Sequence, residues 1–167
     1  MNRSEDFGYD SQRGRTYDFD CQVDAPPIVI RCEHVPVAQP RQRHRVIQVG
    51  GRHMASNYTP SKAPVNDFKR ALKDAAVRAY SFAPLAGPLT VDVTCVFPRP
   101  KGMVWKTKPM PRVPHAKKPD GDNLLKSVFD CLNGVVWQDD AQIHAGKFVK
   151  YIAAGNEVPH VVVEVWQ

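Results

Sequence analysis

Apolar side chains fall at Ile28, Ile30 and Cys32 and again at Val35, the two-residue period of a half-buried strand. Shorter alternating stretches at 46–49 and 53–58 predict a hairpin. Thr59-Pro60 then has the form of a helix start, and Val65, Phe68, Leu72, Ala75, Ala76 and Ala79 recur at helical spacing,. Lys69, Arg70, Lys73 and Arg78 occupy the opposite, solvated face. Pro84, Gly87 and Pro88 end that helix,. Leu89, Val91, Val93, Cys95 and Phe97 next alternate with Thr90, Asp92, Thr94 and Val96, the clearest strand pattern in the chain. Leu124, Leu125, Val128, Phe129 and Leu132 form the apolar stripe of a second helix, with Asp122 as a plausible N-cap and Asn133-Gly134 as the stop,. A short strand at Val135, Val136 and Trp137 is expected after it.

A chain of 167 residues is the length of one domain, and 43% hydrophobic with 24% charged residues are ordinary globular values,. The charge is uneven. Residues 1–24 set Arg3, Arg13 and Arg15 against Glu5, Asp6, Asp10, Asp18, Asp20 and Asp24, and with interspersed Gly and Ser they read as a mobile tail over 1–26, an added edge strand at 17–23 being the alternative,. The domain is expected over 27–167. It carries the basic excess, since the whole chain is +6, which suits a polyanionic partner without specifying fold or chemistry. Cys21, Cys32, Cys95 and Cys131 show no metal-binding spacing, and are expected to be reduced, structural thiols. No signal peptide opens the chain and no stretch approaches the apolar length of a membrane span,, so a cytoplasmic protein is expected.

Two basic segments stand out. Arg41, Arg43 and Arg45 occupy alternate positions, so an extended backbone aims all three to one side; a solvated loop is the bland alternative. Residues 98–119 hold six prolines, seven Lys/Arg residues, Trp105 and no acid. Such a segment is either a flexible loop or a surface that tracks a phosphate backbone while the indole stacks.

The second helix is where chemistry gathers. Asp120 and Asp122 sit at its entry, Lys126 follows Asp122 by one turn, and Asp139 and Asp140 arrive after the helix ends,. Folding the helix back on the sheet could bring the second acidic pair to the first. Clustered carboxylates suit Mg²⁺, a hard ion that takes oxygen ligands, and the matching reaction is metal-assisted phosphodiester hydrolysis. A capping Asp with an unrelated acidic turn is the alternative from spacing alone.

The run KPDGDNLLK (118–126), then FDCLNG (129–134), DDAQI (139–143) and Lys150 resembles the RusA-like Holliday-junction resolvases, found in bacteria and often in phages and prophages. VPVAQPRQRHR (35–45) and YTPSK (58–62) extend the likeness to about residues 28–166. The resemblance implies an α/β (α+β) fold, a single small domain with a mixed sheet and two main helices, assembled as a homodimer that binds four-way or branched DNA. It implies Mg²⁺ as cofactor, with Mn²⁺ as a substitute, and paired cleavage of opposed strands in recombination and repair. Carried over by position, the essential carboxylates fall on Asp120, Asp122 and Asp140, with Asp139 beside the last as a further metal ligand, and the active-site lysine falls on Lys126. Gly121 departs from the family, which commonly has an apolar residue such as Leu there; glycine loosens the backbone.

Arg41, Arg43, Arg45, Lys117, Lys118, Lys147 and Lys150 are the candidate phosphate contacts. Asp130, rotated around the helix from Asp122, is expected at the surface or in helix packing, and the six histidines lie scattered singly. Two other classes remain open: a branched-DNA binder without cleavage, and a phage-type interaction protein acting through its basic surface.

Overall fold

The computed structural model describes residues 26–40, 43–50, 52–58, 60 and 63–167, with strands 43–49 and 52–58 described as backbone only. The acidic opening segment, its alternative strand at 17–23, Cys21 and Arg41 lie outside the described residues.

The sheet is built from β1 (Ile28–Cys32), β4 (Leu89–Phe97), β5 (Val113–Pro114), β6 (Ile143–Ala145), β7 (Phe148–Ile152) and β8 (His160–Trp166). Its order is β1-β8-β4-β7-β5, with β6 also paired to β4. β8 is antiparallel to both β1 and β4, whereas β6 and β7 run parallel to β4, so the sheet is mixed. β2 (Arg43–Val49) and β3 (Arg52–Tyr58) form a separate antiparallel hairpin. With helices α1 (Pro64–Ala79) and α2 (Gly121–Leu132), this is the expected α+β fold.

The alternation along β4 works as read: Leu89, Val91, Val93, Cys95 and Phe97 are all buried. They meet Phe68, Leu72 and Ala76 of α1 and Leu124, Val128 and Leu132 of α2 in one core. Burying a side chain of this size stabilises by about 1.5–3 kcal/mol. Asp130 pairs with Lys69 at 3.7 Å, at the α1–α2 contact as expected. Cys32, Cys95 and Cys131 are free and buried; burial pushes the Cys95 thiol up to about 12 and that of Cys131 to about 11, so both are packing groups rather than nucleophiles.

Three local expectations differ from the structure. The helix read from Thr59-Pro60 begins at Pro64, because the Pro60 carbonyl closes a turn with the Ala63 N–H (2.9 Å) and Pro64 supplies the preset first helical residue,. The N-cap of α2 is Asp120 rather than Asp122. Val135–Trp137 is no strand but a tight turn in which Gly134 N–H donates to the Trp137 carbonyl at 2.7 Å, and Gly134 takes the positive φ of 69° that this reversal needs,.

Residues 98–112 are held at several points. The Arg99 guanidinium donates to the carbonyls of Ala153 (2.8 Å), Met103 (3.4 Å) and Pro111. Glu157 accepts from Arg112 and from Ala154 N–H (2.8 Å). The Arg112 hydrogen bonds hold the Glu157 carboxyl down at about 2, well below its usual 4.5. A depressed carboxylate contributes stability that is full above its unfolded pKa and lost as pH falls through the folded one. The difference in thermal midpoint between wild type and Glu157→Gln should therefore be largest above about pH 4.5 and shrink as pH falls toward 2,. A difference constant over that range in calorimetry would show that the ion pair contributes nothing.

Candidate active site at the amino end of the second helix

The apolar face of α2, with Leu124, Val128 and Leu132, is anchored in the core, so the opposite side and the amino end reach solvent. Asp120 precedes the first turn in extended conformation, and its side chain makes no capping hydrogen bond. Asp120, Asp122 and Lys126 are exposed. Helix dipole and amino-end N–H groups favour negative charge there, and Lys126 lies one turn along the same face as Asp122. On that face Leu125 and Phe129 form one wall of a groove whose other wall is Ile143–Phe148.

The chain leading into Asp120 is held by Lys150. Its ammonium donates to the carbonyls of Lys117 (2.9 Å) and Pro119 (2.7 Å), while its backbone carbonyl accepts from His115 N–H (3.0 Å). The Lys118–Pro119 peptide is cis. Lys150, expected at phosphate, is thus engaged in positioning the residues before Asp120, whereas Lys117, Lys118 and Lys147 remain exposed. Lys150→Met should leave DNA affinity within about twofold yet slow any reaction at Asp120, since removing one charge-assisted donor leaves two carbonyls without it, about 1.5–3 kcal/mol. Equal losses in affinity and rate, measured by gel shift and single turnover, would instead make Lys150 a phosphate contact.

Gly121 has a steric cause that the sequence did not reveal. A Cβ at this position would lie 2.8 Å from the Phe148 ring, so the aromatic residue of β7 fills the place where a side chain at 121 would sit. The same ring forms the end of the groove. Gly146 is fixed by a closer approach, its Cβ position being 1.9 Å from the Val91 carbonyl oxygen. That crossing is completed by Asp92, which accepts from Lys147 N–H at 2.8 Å. Asp92 is therefore a structural carboxylate.

From the other side, residues 37–39 lie along α2. Ser127 donates to the Val37 carbonyl (2.7 Å) and Gln39 N–H to that of Asn123 (2.9 Å). The chain up to Gln39 therefore runs beside the amino half of α2. Gln39 Oε1 is buried there without a hydrogen-bond partner among the described residues, as is Nδ1 of His115, whose ring stacks on Phe97 at 4.6 Å. Burial, reinforced by Lys150 and Lys117, keeps the His115 pKa below its usual value, so the ring is neutral near pH 7. Neither role was foreseen; a buried polar atom is legible only once packing is known. Arg43 and Arg45 lie on β2, opposite Tyr58 and Ser56 of β3.

Asp120 and Asp122 stand at the amino end of α2, and Asp139 and Asp140 follow its carboxyl end in the 3₁₀ turn before β6. Among the described residues, no three Asp, Glu, His or Cys side chains stand together as a group able to hold a metal. Helix α2 does fold back on the sheet, but the chain returns from its carboxyl end, where Trp137 Nε1 donates to the Asn133 side chain at 2.6 Å. The acidic turn therefore begins the run of β6 beside Leu89, whereas the amino end of α2 meets Phe148, beside Val93. Four residues of β4 separate those levels, about 13 Å. Asp139 caps its own 3₁₀ turn, Oδ1 accepting from Ala141 N–H (2.8 Å), and Gln142 returns a bond to Asp139 N–H. Asp140 is half-buried beside it. The Asp120–Asp122 pair by itself fits the one or two carboxylates that Mg²⁺ takes while keeping waters.

Comparison with known proteins bears on the same region. The family model described as Endodeoxyribonuclease RusA matches residues 33–166. The uncharacterized protein YqaN of Bacillus subtilis (strain 168) is 30% identical over 135 residues, covering 78% of this chain and 91% of that protein.

Proposed function

Because the chain belongs to the RusA endodeoxyribonuclease family, we propose that it is a Mg²⁺-dependent, structure-selective endonuclease that resolves four-way DNA junctions by hydrolysing one phosphodiester in each of two opposed strands. The observation that carries this reading is the exposed Asp120, Asp122 and Lys126 at one end of α2, inside the matched segment and preceded by the exposed Lys117 and Lys118. Among the described residues no helix is long and apolar enough to cross a membrane.

In this reading Asp120 and Asp122 hold the ion, which when bound supplies an activated water and electrostatic stabilisation. Lys126, an ammonium that cannot serve as a ligand, neutralises charge developing on the phosphorus oxygens. Lys117, Lys118 and Lys147, with Arg41, Arg43 and Arg45, hold the flanking phosphates. Lys150 keeps Asp120 at its station. Asp140 enters from a second protomer. Each active site then draws on both chains, and two sites make paired cuts natural.

The test is incubation with labelled four-way junction, linear duplex and single strand, with Mg²⁺ or with EDTA. Junction nicking that EDTA abolishes is the expected result. Tight junction binding without cleavage under any divalent ion would replace the enzyme by a binder.

A further inference from the structure

The segment between β4 and β5 presents an aromatic residue that the proposed chemistry does not use. Trp105 is 39% exposed and its neighbour Val104 is 56% exposed. Trp137, by contrast, is fully buried. Exposure of Trp105 does not come from a loose chain. Its N–H donates to the Met110 sulfur (3.4 Å), the Met110 carbonyl accepts from Gly155 N–H (2.9 Å), and Arg99 bonds to carbonyls at both Met103 and Pro111. A 3₁₀ turn over Lys101–Met103 precedes the indole. The scaffold that fixes residues 99–112 thus leaves the ring partly outside the protein's own packing.

What surrounds the ring decides its partner. Lys101, Lys106 and Lys108, close to it along the chain, are exposed, and no acidic residue occurs from Pro98 to Pro119. A flat apolar face in a lysine-rich, acid-free stretch of chain fits a ligand that is flat, apolar on its faces and anionic at its rim, which describes a nucleotide in a DNA strand. In linear duplex both faces of every internal base are covered by neighbours. Only a branch point, an end or a single strand offers a face to stack on, and base–aromatic stacking is tolerant of sequence because every base has such a face. The lysines alone would bind any DNA form through phosphates.

We propose that Trp105 stacks on unpaired or unstacked bases and is the residue by which this protein prefers branched DNA over duplex. The proposal rests on the reading of the protein as a DNA-junction nuclease. It adds a selectivity element about fifteen residues before Asp120, on a loop fastened to the sheet.

The experiment uses the full chain with Ca²⁺ in place of Mg²⁺, so that binding is measured without cleavage. Indole emission of wild type, compared with Trp105→Phe, is titrated with single-stranded oligothymidylate and with blunt duplex of equal length. Saturable quenching by the single strand, little change with duplex and no quenching in Trp105→Phe are expected. In gel shifts, Trp105→Ala should lose about tenfold of the preference for four-way junction over duplex, the scale of one stacked base, with duplex affinity unchanged; Trp105→Phe should retain most of it. An unquenched indole on a strand that is bound, or an unaltered junction preference in Trp105→Ala, overturns the proposal, as does emission that follows protein concentration rather than DNA. Nicking by wild type in Mg²⁺ is scored separately. Its absence with quenching intact removes the nuclease reading alone, and its presence with preference unaltered removes the Trp105 proposal alone.

Discussion

Asp120→Asn, Asp122→Asn and Asp140→Asn should each lower single-turnover nicking of a four-way junction by at least about a hundredfold, the scale on which loss of one preorganised electrostatic group is felt. Asn keeps nearly the volume of Asp but removes the negative charge that Mg²⁺ requires of a ligand. Asp120 and Asp122 are exposed and Asp140 half-buried, so the exchange leaves the core and the basic surface in place. Junction affinity in Ca²⁺ should be retained. In EDTA it should rise slightly, because each substitution removes a charge that repels phosphate. Lys126→Ala should also cut slowly, with metal dependence unchanged, since an ammonium stabilises charge without ligating. Near wild-type nicking by Asp120→Asn, in a preparation shown free of other nucleases, would remove that carboxylate from the site.

The parts of this fold that were legible in the sequence are those in which one physical pattern dominates. β4 alternates without interruption, and its inward residues are the ones buried. Helix α2 announces itself by an apolar stripe closed by Asn133-Gly134, and its length follows. Where two signals of one kind compete, the sequence did not decide: Pro60 and Pro64 can each precede a helix, and only the turn closed on the Pro60 carbonyl selects the second. β8 escaped the reading altogether, although it bridges β1 and β4. Its run of valines is buried on alternate positions but lacks the polar alternation that marks an exposed face. The candidate site divides the same way. Local spacing puts Asp120, Asp122 and Lys126 at a helix end, and the assignment of roles to them comes from the family motif. The position of Asp140 is not, because it depends on which end of α2 the chain returns from. Nor is the work of Lys150, whose partners are backbone carbonyls 31 and 33 residues away.

That separation of acidic groups has a consequence for mixed dimers. If each site combines Asp120 and Asp122 of one protomer with the partner's Asp140, then Asp120→Asn and Asp140→Asn, each inert alone, should complement each other. In a heterodimer of the two, one site collects both substitutions and the other collects none. Random subunit exchange places half of the chains in such dimers, so nicking should recover to about a quarter of the wild-type site number. The products should be nicked junctions rather than resolved duplexes, because each recovered dimer has one working site. Asp120→Asn mixed with Asp122→Asn provides the control. Both carboxylates lie at the same helix end, every site in that heterodimer keeps one defect, and no recovery is expected. Tagged subunits co-purified as heterodimers and assayed at equal junction occupancy would give the measurement. Complementation in the first mixture and not in the second follows only from a shared site. Silence in both, with heterodimers verified by mass, would place Asp140 in the same protomer's site as Asp120 and overturn the shared site.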